Sequence, residues 1–367
     1  MTSRTRILNG AALCAVALFL PACGNAQDAA PAAAPATDAA PRTADILPPD
    51  AAFEDLLGVF DVPGMALATL TGCEPDGVRT FGTADLGTGA PVTKDTAFEA
   101  ASLTKPLFAY IVLQLADEGV IDLDAPLAPF AAPRVADQDA YAKMTPRMIL
   151  THRTGMPNWA GDSHDEDRDD PIELLSAPGE AYTYSGEAFE MLLAYVTERT
   201  GQRFEALLVE RLGAIMPNSS VTGALRGDAV PSRGYVRASD PGSGRDLYQT
   251  PHETGAAWGL LTTAGDYAAF VGHVCRGEGL SPEAFADMLR PQAPIPPSEG
   301  LPGEAAYGLG WIMLQMGPDT IAMHGGNNDE YRNLAAFLPK TGEGYVMLTN
   351  GRNGGDMIEA IMEEAQP

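Results

Sequence analysis

Strand signals stand towards the two ends of the chain, and helical signals stand between them. Residues 65–70 (MALATL) and 78–81 predict an opening hairpin, and further strands are predicted from Tyr307 to Thr349. This order allows the first and last strands to share one antiparallel sheet. We therefore expect a mixed α/β (α+β) fold, in which helices flank the sheet and a helical region is inserted in the middle of the chain.

The amino-terminal part of the chain carries an export signal. Two arginines precede an apolar run from residue 11 to residue 20, which has the length of a signal-peptide core and is too short to span a bilayer. The following Leu20-Pro21-Ala22-Cys23 resembles a bacterial lipobox. This implies cleavage of residues 1–22, lipid attachment to Cys23 and anchoring to a membrane of the cell envelope, in the periplasm. An ordinary secretory signal cleaved near Ala22 is the alternative, and it also exports the protein.

The next segment has the composition of a linker. From Gly24 to Pro49 alanine and proline dominate without apolar periodicity, so residues 23–50 cannot bury a core and are expected to form a tether. Residues 51–367 exceed the usual size of one domain, yet they contain no second linker and no internal repeat. We expect them to form a single domain with a helical insertion.

Two of the four cysteines belong to that domain. Cys14 would leave with the signal segment and Cys23 would be acylated, which leaves Cys73 and Cys275. In an oxidising compartment this pair could form one disulfide, but the sequence does not show whether the two Cα atoms come within reach. One disulfide and two buried thiols are both compatible with the sequence.

Ser102 and Lys105 stand at the head of an apolar helical stretch. Leucine and isoleucine recur every four residues from Leu103 to Leu115, and Gly119 follows as a stop. Side chains three residues apart share one face of a helix, so the Lys105 amine can reach the Ser102 hydroxyl. The helix amino terminus would also favour an oxyanion beside the serine. The spacing predicts a nucleophile and its activator, although it also occurs by chance as a surface serine with a solvated lysine.

Two further elements follow along the chain. Tyr184 precedes a second amphipathic helix that is expected to stop at Gly201, and a phenol beside an ammonium group can act as a base. His324, Gly325 and Gly326 follow an apolar run that predicts a short strand, and the two glycines would let a substrate approach the backbone closely. Taken singly, such residues are also typical of a packing tyrosine and of a turn.

Together these segments resemble a serine hydrolase family that includes class C beta-lactamases, D-alanyl-D-alanine carboxypeptidases, D-aminopeptidases and esterases. The resemblance covers nearly everything after the tether. It rests on six segments in family order, which are residues 98–106 (the S-x-x-K motif), 149–157 (L-L-T-H-x-S-G-L-P), 184–186 (Y-x-N), 259–266 (G-G-L-x-S-T-A-x-D), 307–311 (Y-G-x-G-W) and 324–326 (the H-x-G form of K-T-G).

The resemblance implies a beta-lactamase/transpeptidase-like fold with the active site between the sheet and the helical region. It also implies an acyl-enzyme mechanism that needs no metal and no cofactor. Ser102 would attack a carbonyl while Lys105 and Tyr184 share the proton transfers. The backbone N–H groups of Ser102 and Asn327 would form the oxyanion hole. The substrate would also contact four residues around the cleft, namely Gly186, His324, Gly325 and Gly326.

Two positions depart from the family pattern. Gly186 stands where the family has an asparagine that helps to hold the lysine and the substrate amide, and His324 stands where lysine is common. A histidine with an ordinary pKa of about 6.5 is only partly charged at neutral pH, so recognition of a substrate carboxylate would be weak. We therefore expect a small-molecule or peptide substrate that is an ester or a D-amino-acid amide, with a beta-lactam less favoured. A non-catalytic relative that binds penicillin or cell-wall peptides is the alternative.

Other features narrow the expectation further. Loops such as those around Trp159, Tyr235 and Tyr248 are expected to set the acyl-group specificity. A literal Lys340-Thr341-Gly342 also occurs, but it follows a proline between two predicted strands and is expected to form a hairpin turn away from the pocket. His324 is therefore favoured as the third motif.

The formal net charge is −26 at pH 7, which disfavours nucleic acid as a partner because binding it requires a basic surface. The densest acidic stretch, from Asp162 to Asp170, could bind a divalent cation, but it lacks the glycine and the terminal glutamate of an EF-hand loop. An exposed surface loop is favoured there. The protein is expected to be a monomer.

Overall fold

The computed structural model describes residues 47–161, 170–247, 255–301 and 303–364. The signal segment, Cys23, the tether up to residue 46, the acidic residues 162–169 and Tyr248 lie outside the described residues. Within the described ranges, no helix combines the length and the apolar character that crossing a membrane requires.

A large antiparallel sheet forms the centre of the protein. The strands of the described residues are β1 (Gly64–Thr71), β2 (Glu74–Asp85), β3 (Ala90–Pro91), β4 (Thr96–Ala101), β5 (Val230–Pro231), β6 (Arg233–Gly234), β7 (Arg245–Asp246), β8 (Leu260–Thr262), β9 (Ala293–Pro294), β10 (Glu304–Tyr307), β11 (Ile312–Met316), β12 (Asp319–Asn328), β13 (Tyr331–Phe337) and β14 (Gly344–Thr349). Nine of them make the large sheet, in the order β3-β2-β1-β14-β13-β12-β11-β10-β9. β4 lies between β5 and β8 in a small sheet, and β6 pairs with β7.

The first and last strands pair as the sequence predicts. β1 is antiparallel to β14, with Met65 opposite Thr349 and Leu70 opposite Gly344. β1 is buried on both faces, because its side chains alternate between two apolar clusters on opposite sides of the sheet. This double burial explains why apolar residues occupy nearly every position of the strand instead of every second one.

Helices cover both faces of the large sheet. They are α1 (Asp50–Phe60), α2 (Thr104–Asp117), α3 (Gln138–Tyr141), α4 (Pro146–Leu150), α5 (Gly186–Thr200), α6 (Phe204–Leu212), α7 (Ala264–Cys275), α8 (Pro282–Met288) and α9 (Gly354–Glu364). α1 and α9 pack on one face, while α2 and α7 pack on the other together with the helical region from α3 to α6. The expected mixed α/β fold with helices flanking an antiparallel sheet is confirmed.

The ends of α4 and α5 follow from local capping and backbone geometry. Thr145 caps α4 by accepting the Met148 N–H, but the helix ends at Leu150 because the chain turns out of helical geometry at His152, where φ is 55°. α5 ends as predicted at Gly201, which adopts the left-handed conformation (φ 71°) that glycine tolerates best.

The two cysteines of the domain are joined. Cys73 lies in the turn between β1 and β2, Cys275 is the last residue of α7, and their sulfurs form a disulfide with the Cα atoms 5.6 Å apart. The structure thus decides between the two alternatives that the sequence leaves open.

Candidate active site

Ser102 lies in a strained turn between a strand and a helix. β4 ends at Ala101, whose φ of 53° is in the left-handed region that side chains other than glycine rarely adopt. The Thr104 hydroxyl holds the turn, since it donates to Ala101 O (2.6 Å) and accepts the Leu260 N–H (3.0 Å). Ser102 is half-buried and lies two residues before the first residue of α2, so it is close to the amino terminus of the helix, as the sequence predicts.

Lys105 is buried and points at the serine. Lys105 is 1% exposed, and its Nζ donates to Ser102 Oγ (3.1 Å) and to Ala257 O (2.8 Å). The ammonium position also lies 4.7 Å from the centre of the Tyr184 ring and 5.6 Å from that of Phe189. The structure therefore brings Ser102, Lys105 and Tyr184 together from α2 and from the start of α5.

The His152 ring packs against the Tyr184 ring. The two ring centres lie 4.3 Å apart, and His152 Nδ1 accepts the backbone N–H of Ser185 (3.0 Å). Because Nδ1 accepts, the neutral ring carries its proton on Nε2. Burial, followed by the nearby charge of Lys105, holds the pKa of His152 well below its ordinary value. His152 is thus a neutral packing partner that fixes the residue next to Tyr184.

His324 is also neutral. Its Nδ1 lies 2.7 Å from Gly325 O, so Nδ1 donates and Nε2 accepts from the Tyr307 hydroxyl, also at 2.7 Å. Burial, with the charge of Lys105 second, lowers the pKa of His324 to about 3. The sequence-based expectation of partial charge near neutrality is therefore wrong, because it uses the pKa of an exposed imidazole.

β12 passes beside the nucleophile turn at Gly326. A Cβ on Gly326 would lie 2.3 Å from Ala100 O, so this approach requires glycine. Asn333, opposite Gly326 on β13, donates Nδ2 to Glu99 O (2.9 Å) and ties the two strands to β4. The motif lies within β12, whereas the sequence places it after a strand. Asn327 follows in the same strand and is exposed, and its role as an oxyanion-hole donor stays a prediction.

The fold and this arrangement can be compared with known proteins. A family model described as Beta-lactamase matches residues 50–366. The chain belongs to the beta-lactamase family. The predicted resemblance is confirmed, and the match covers nearly everything after the predicted tether.

Named relatives of this beta-lactamase family chain are hydrolases. Esterase EstB of Burkholderia gladioli is 35% identical over 164 residues, which are 37% of this chain and 41% of EstB. Unguisins hydrolase ungD of Aspergillus violaceofuscus is 24% identical over 352 residues, covering 83% of this chain and 62% of that protein. The matches thus span less than two thirds of either relative.

The fold is shared with a solved structure. The octameric penicillin-binding protein homologue from Pyrococcus abyssi superimposes with a TM-score of 0.70 at 20% identity, over 83% of this chain and 73% of that chain. This likeness confirms the beta-lactamase/transpeptidase-like fold. The octamer belongs to the Pyrococcus protein, and the monomeric state expected here stays a prediction.

Two other candidate features of this family member lie away from the cleft. The literal Lys340-Thr341-Gly342 forms the turn between β13 and β14, where Lys340 Nζ binds Asp319 Oδ1 (2.9 Å) at the start of β12. The predicted hairpin turn is confirmed. Tyr235 is fully buried, and its hydroxyl accepts the Leu86 N–H and donates to Asp85 Oδ1 at the end of β2. The role expected for the loop around it stays a prediction.

Glu190 is a site residue that the sequence argument missed. It follows Phe189 on α5, and its carboxylate accepts the backbone N–H groups of Ala256 (3.2 Å) and Ala257 (3.1 Å). Ala257 O is in turn the acceptor for Lys105 Nζ. The only local signal is a carboxylate beside the apolar face of the helix, because its partners lie 66 and 67 residues further along the chain.

Proposed function

We propose that this chain is a serine hydrolase that forms an acyl-enzyme at Ser102 from an ester or a D-amino-acid amide. The observation that carries the proposal is the 3.1 Å contact between Lys105 Nζ and Ser102 Oγ in a buried setting. An exposed serine and a solvated lysine at this spacing would have no such contact. A nucleophile held against a nitrogen base is the arrangement that covalent catalysis requires.

The reaction takes two steps. Ser102 Oγ bonds to the substrate carbonyl carbon while Lys105 and Tyr184 share the transfer of its proton. The former carbonyl oxygen becomes negatively charged and lies between the backbone N–H groups of Ser102 and Asn327. The amino terminus of α2 stabilises this charge further. The bond to the leaving group then breaks, and the departing alcohol or amine takes the proton. Water repeats the sequence on the acyl-enzyme, which releases the acid and restores Ser102.

The proposed substrate class follows from the two positions that differ from the family pattern, Gly186 and His324. A neutral His324 supplies no positive charge for the carboxylate of a penicillin, and Gly186 supplies no amide for an acylamido side chain. An ester needs neither group. The partial match to Esterase EstB supports the same choice.

The proposal includes export and a lipid anchor. Residues 1–22 would be removed and Cys23 acylated, so the protein would face the periplasm while attached to a membrane. The disulfide between Cys73 and Cys275 supports this location, since disulfides persist in oxidising compartments.

The test is intact-mass spectrometry of the full-length protein after treatment with a fluorophosphonate or, separately, with a fluorescent penicillin. The variants are Ser102→Ala, Lys105→Met and the control Lys94→Met, in which an exposed lysine is removed. We expect a fluorophosphonate adduct that Ser102→Ala abolishes, that Lys105→Met slows by about 100-fold or more, and that the control leaves unchanged. An adduct with penicillin alone would favour the binding protein, and no adduct from folded protein would overturn the proposal.

A further inference from the structure

The space at the side-chain position of Gly186 is filled by an indole. A Cβ built on Gly186 would lie 2.6 Å from Cη2 and Cζ2 of Trp159 and 3.0 Å from Cζ3. Gly186 has ordinary helical geometry as the first residue of α5, so its backbone conformation does not require glycine. A side chain at this position would require the indole to move, because the six-membered ring of Trp159 occupies the place of its Cβ.

This position belongs to the face of α5 that lines the Lys105 site. Residues three and four apart share a helix face, which groups Gly186 with Phe189 and Glu190. The Phe189 ring lies 5.6 Å from Lys105 Nζ, and Glu190 holds the Ala257 segment that binds the same nitrogen. The indole therefore lies on the face of α5 that carries Phe189 and Glu190, at the position where the family pattern has an asparagine side chain.

Trp159 is held in place from both sides. On one side, Asn158 O accepts the N–H groups of Gly186 (3.1 Å) and Glu187 (3.0 Å). On the other, Ala160 N donates to Glu187 Oε1 (3.1 Å). Glu187 is 3% exposed and is bound through both carboxylate oxygens by Arg134. Trp159 is half-buried, so part of the residue keeps an exposed surface.

We propose that Trp159 determines the acyl specificity of the enzyme by forming an aromatic wall beside Ser102. The inference rests on the proposed function and names its substrate class, which is esters or amides whose acyl group carries an aromatic or other flat apolar group. Ring carbons offer a large apolar surface to such a group. They leave the amide of an acylamido group without a hydrogen-bond partner, which disfavours its burial.

The first experiment compares two esters with the full-length protein. We expect Trp159→Ala to lower the ratio of kcat/KM for 4-nitrophenyl phenylacetate to that for 4-nitrophenyl acetate by about 10-fold or more. Trp159→Phe should keep most of the ratio. Phe130→Ala is the matched control, since it removes a half-buried ring that packs on Tyr195 in the same helical region, and its ratio should equal that of the wild type. An unchanged ratio in Trp159→Ala that melts at the wild-type temperature would overturn the inference.

The second experiment introduces an asparagine at Gly186, first with the Trp159 indole present and then without it. Gly186→Asn alone should lose ester hydrolysis or folding, because the new Cβ meets the indole. Adding Trp159→Gly should restore folding and raise nitrocefin turnover relative to 4-nitrophenyl acetate. If Gly186→Asn alone behaves as wild type on nitrocefin and on both 4-nitrophenyl esters, the indole does not shape the substrate site and the inference is wrong. A wild-type protein that hydrolyses no ester and gives no fluorophosphonate adduct overturns the proposed function itself, whereas a wild-type adduct with an insensitive ester ratio overturns only the role of Trp159.

Discussion

His324 Nε2 lies 2.7 Å from the Tyr307 hydroxyl oxygen, and both side chains are shielded from solvent. An imidazole that accepts from a buried phenol and donates to Gly325 O has no solvation for a positive charge. The pKa of His324 therefore falls from about 6.5 to about 3, mainly through burial. The third motif of this site is a hydrogen-bonded neutral group at any pH at which the enzyme is expected to work.

This shift predicts a pH dependence of stability. Below the unfolded-state pKa of about 6.5 the unfolded imidazole binds a proton that the folded one refuses until about pH 3. The contribution of His324 to the stability of the folded state is thus fully present above about pH 6.5 and is lost as the pH falls towards 3. From about pH 7 to about pH 5.5 the free energy of unfolding of the wild type should fall by about 1 kcal/mol more than that of His324→Gln, measured by urea denaturation. Equal falls in the two proteins would contradict the assignment.

The sequence predicts the parts of the site that depend on local spacing. Ser102 and Lys105 are three residues apart at the start of a strongly periodic helix, so their contact needs no information from elsewhere in the chain. The pairing of β1 with β14 follows similarly from two apolar runs at the ends of the domain. The order of the family motifs along the chain also predicts that Tyr184 and His324 belong to the site.

The sequence does not predict contacts that depend on folding of distant segments. The indole of Trp159 fills the space at Gly186 only because the chain after α4 returns to the start of α5. The neutral state of His324 depends on burial and on Lys105, which is more than two hundred residues away. A residue type and its ordinary pKa cannot reveal either feature.

Lys340 should be dispensable for catalysis. Its ammonium group binds Asp319 at the start of β12, five residues before His324, and its side chain is 72% exposed. We expect Lys340→Ala to change kcat/KM for an ester by less than about 2-fold, since exposed ion pairs contribute at most about 1 kcal/mol to stability. His324→Ala, assayed in parallel, should lose far more activity. A large loss in Lys340→Ala would instead restore the literal Lys340-Thr341-Gly342 as the third motif.

The disulfide should contribute strongly to stability. It joins residues 202 positions apart and fixes the β1–β2 turn to the end of α7. Removing a native disulfide typically costs about 2 to 5 kcal/mol, so the Cys73→Ser/Cys275→Ser double variant should unfold at a lower urea concentration. The wild type treated with a reductant should shift in the same direction, and the double variant should not respond to it. A reductant-insensitive wild type would show that the bond does not form.

Glu190 should act as a positioning residue for Lys105. Its carboxylate holds the N–H groups of Ala256 and Ala257, and Ala257 O holds Lys105 Nζ, so the lysine is placed through one intermediate segment. Glu190→Gln keeps the size of the side chain but presents an amide group to those N–H groups. We expect kcat for an ester to fall by about 10-fold while KM changes by less than about 2-fold, because a loosened Ala257 segment no longer holds Lys105 Nζ against Ser102 Oγ. Glu198→Gln, at an exposed position two turns further along α5, is the control and should leave both quantities unchanged. If kcat and KM both change and the variant also melts at a lower temperature, Glu190 has a purely structural role.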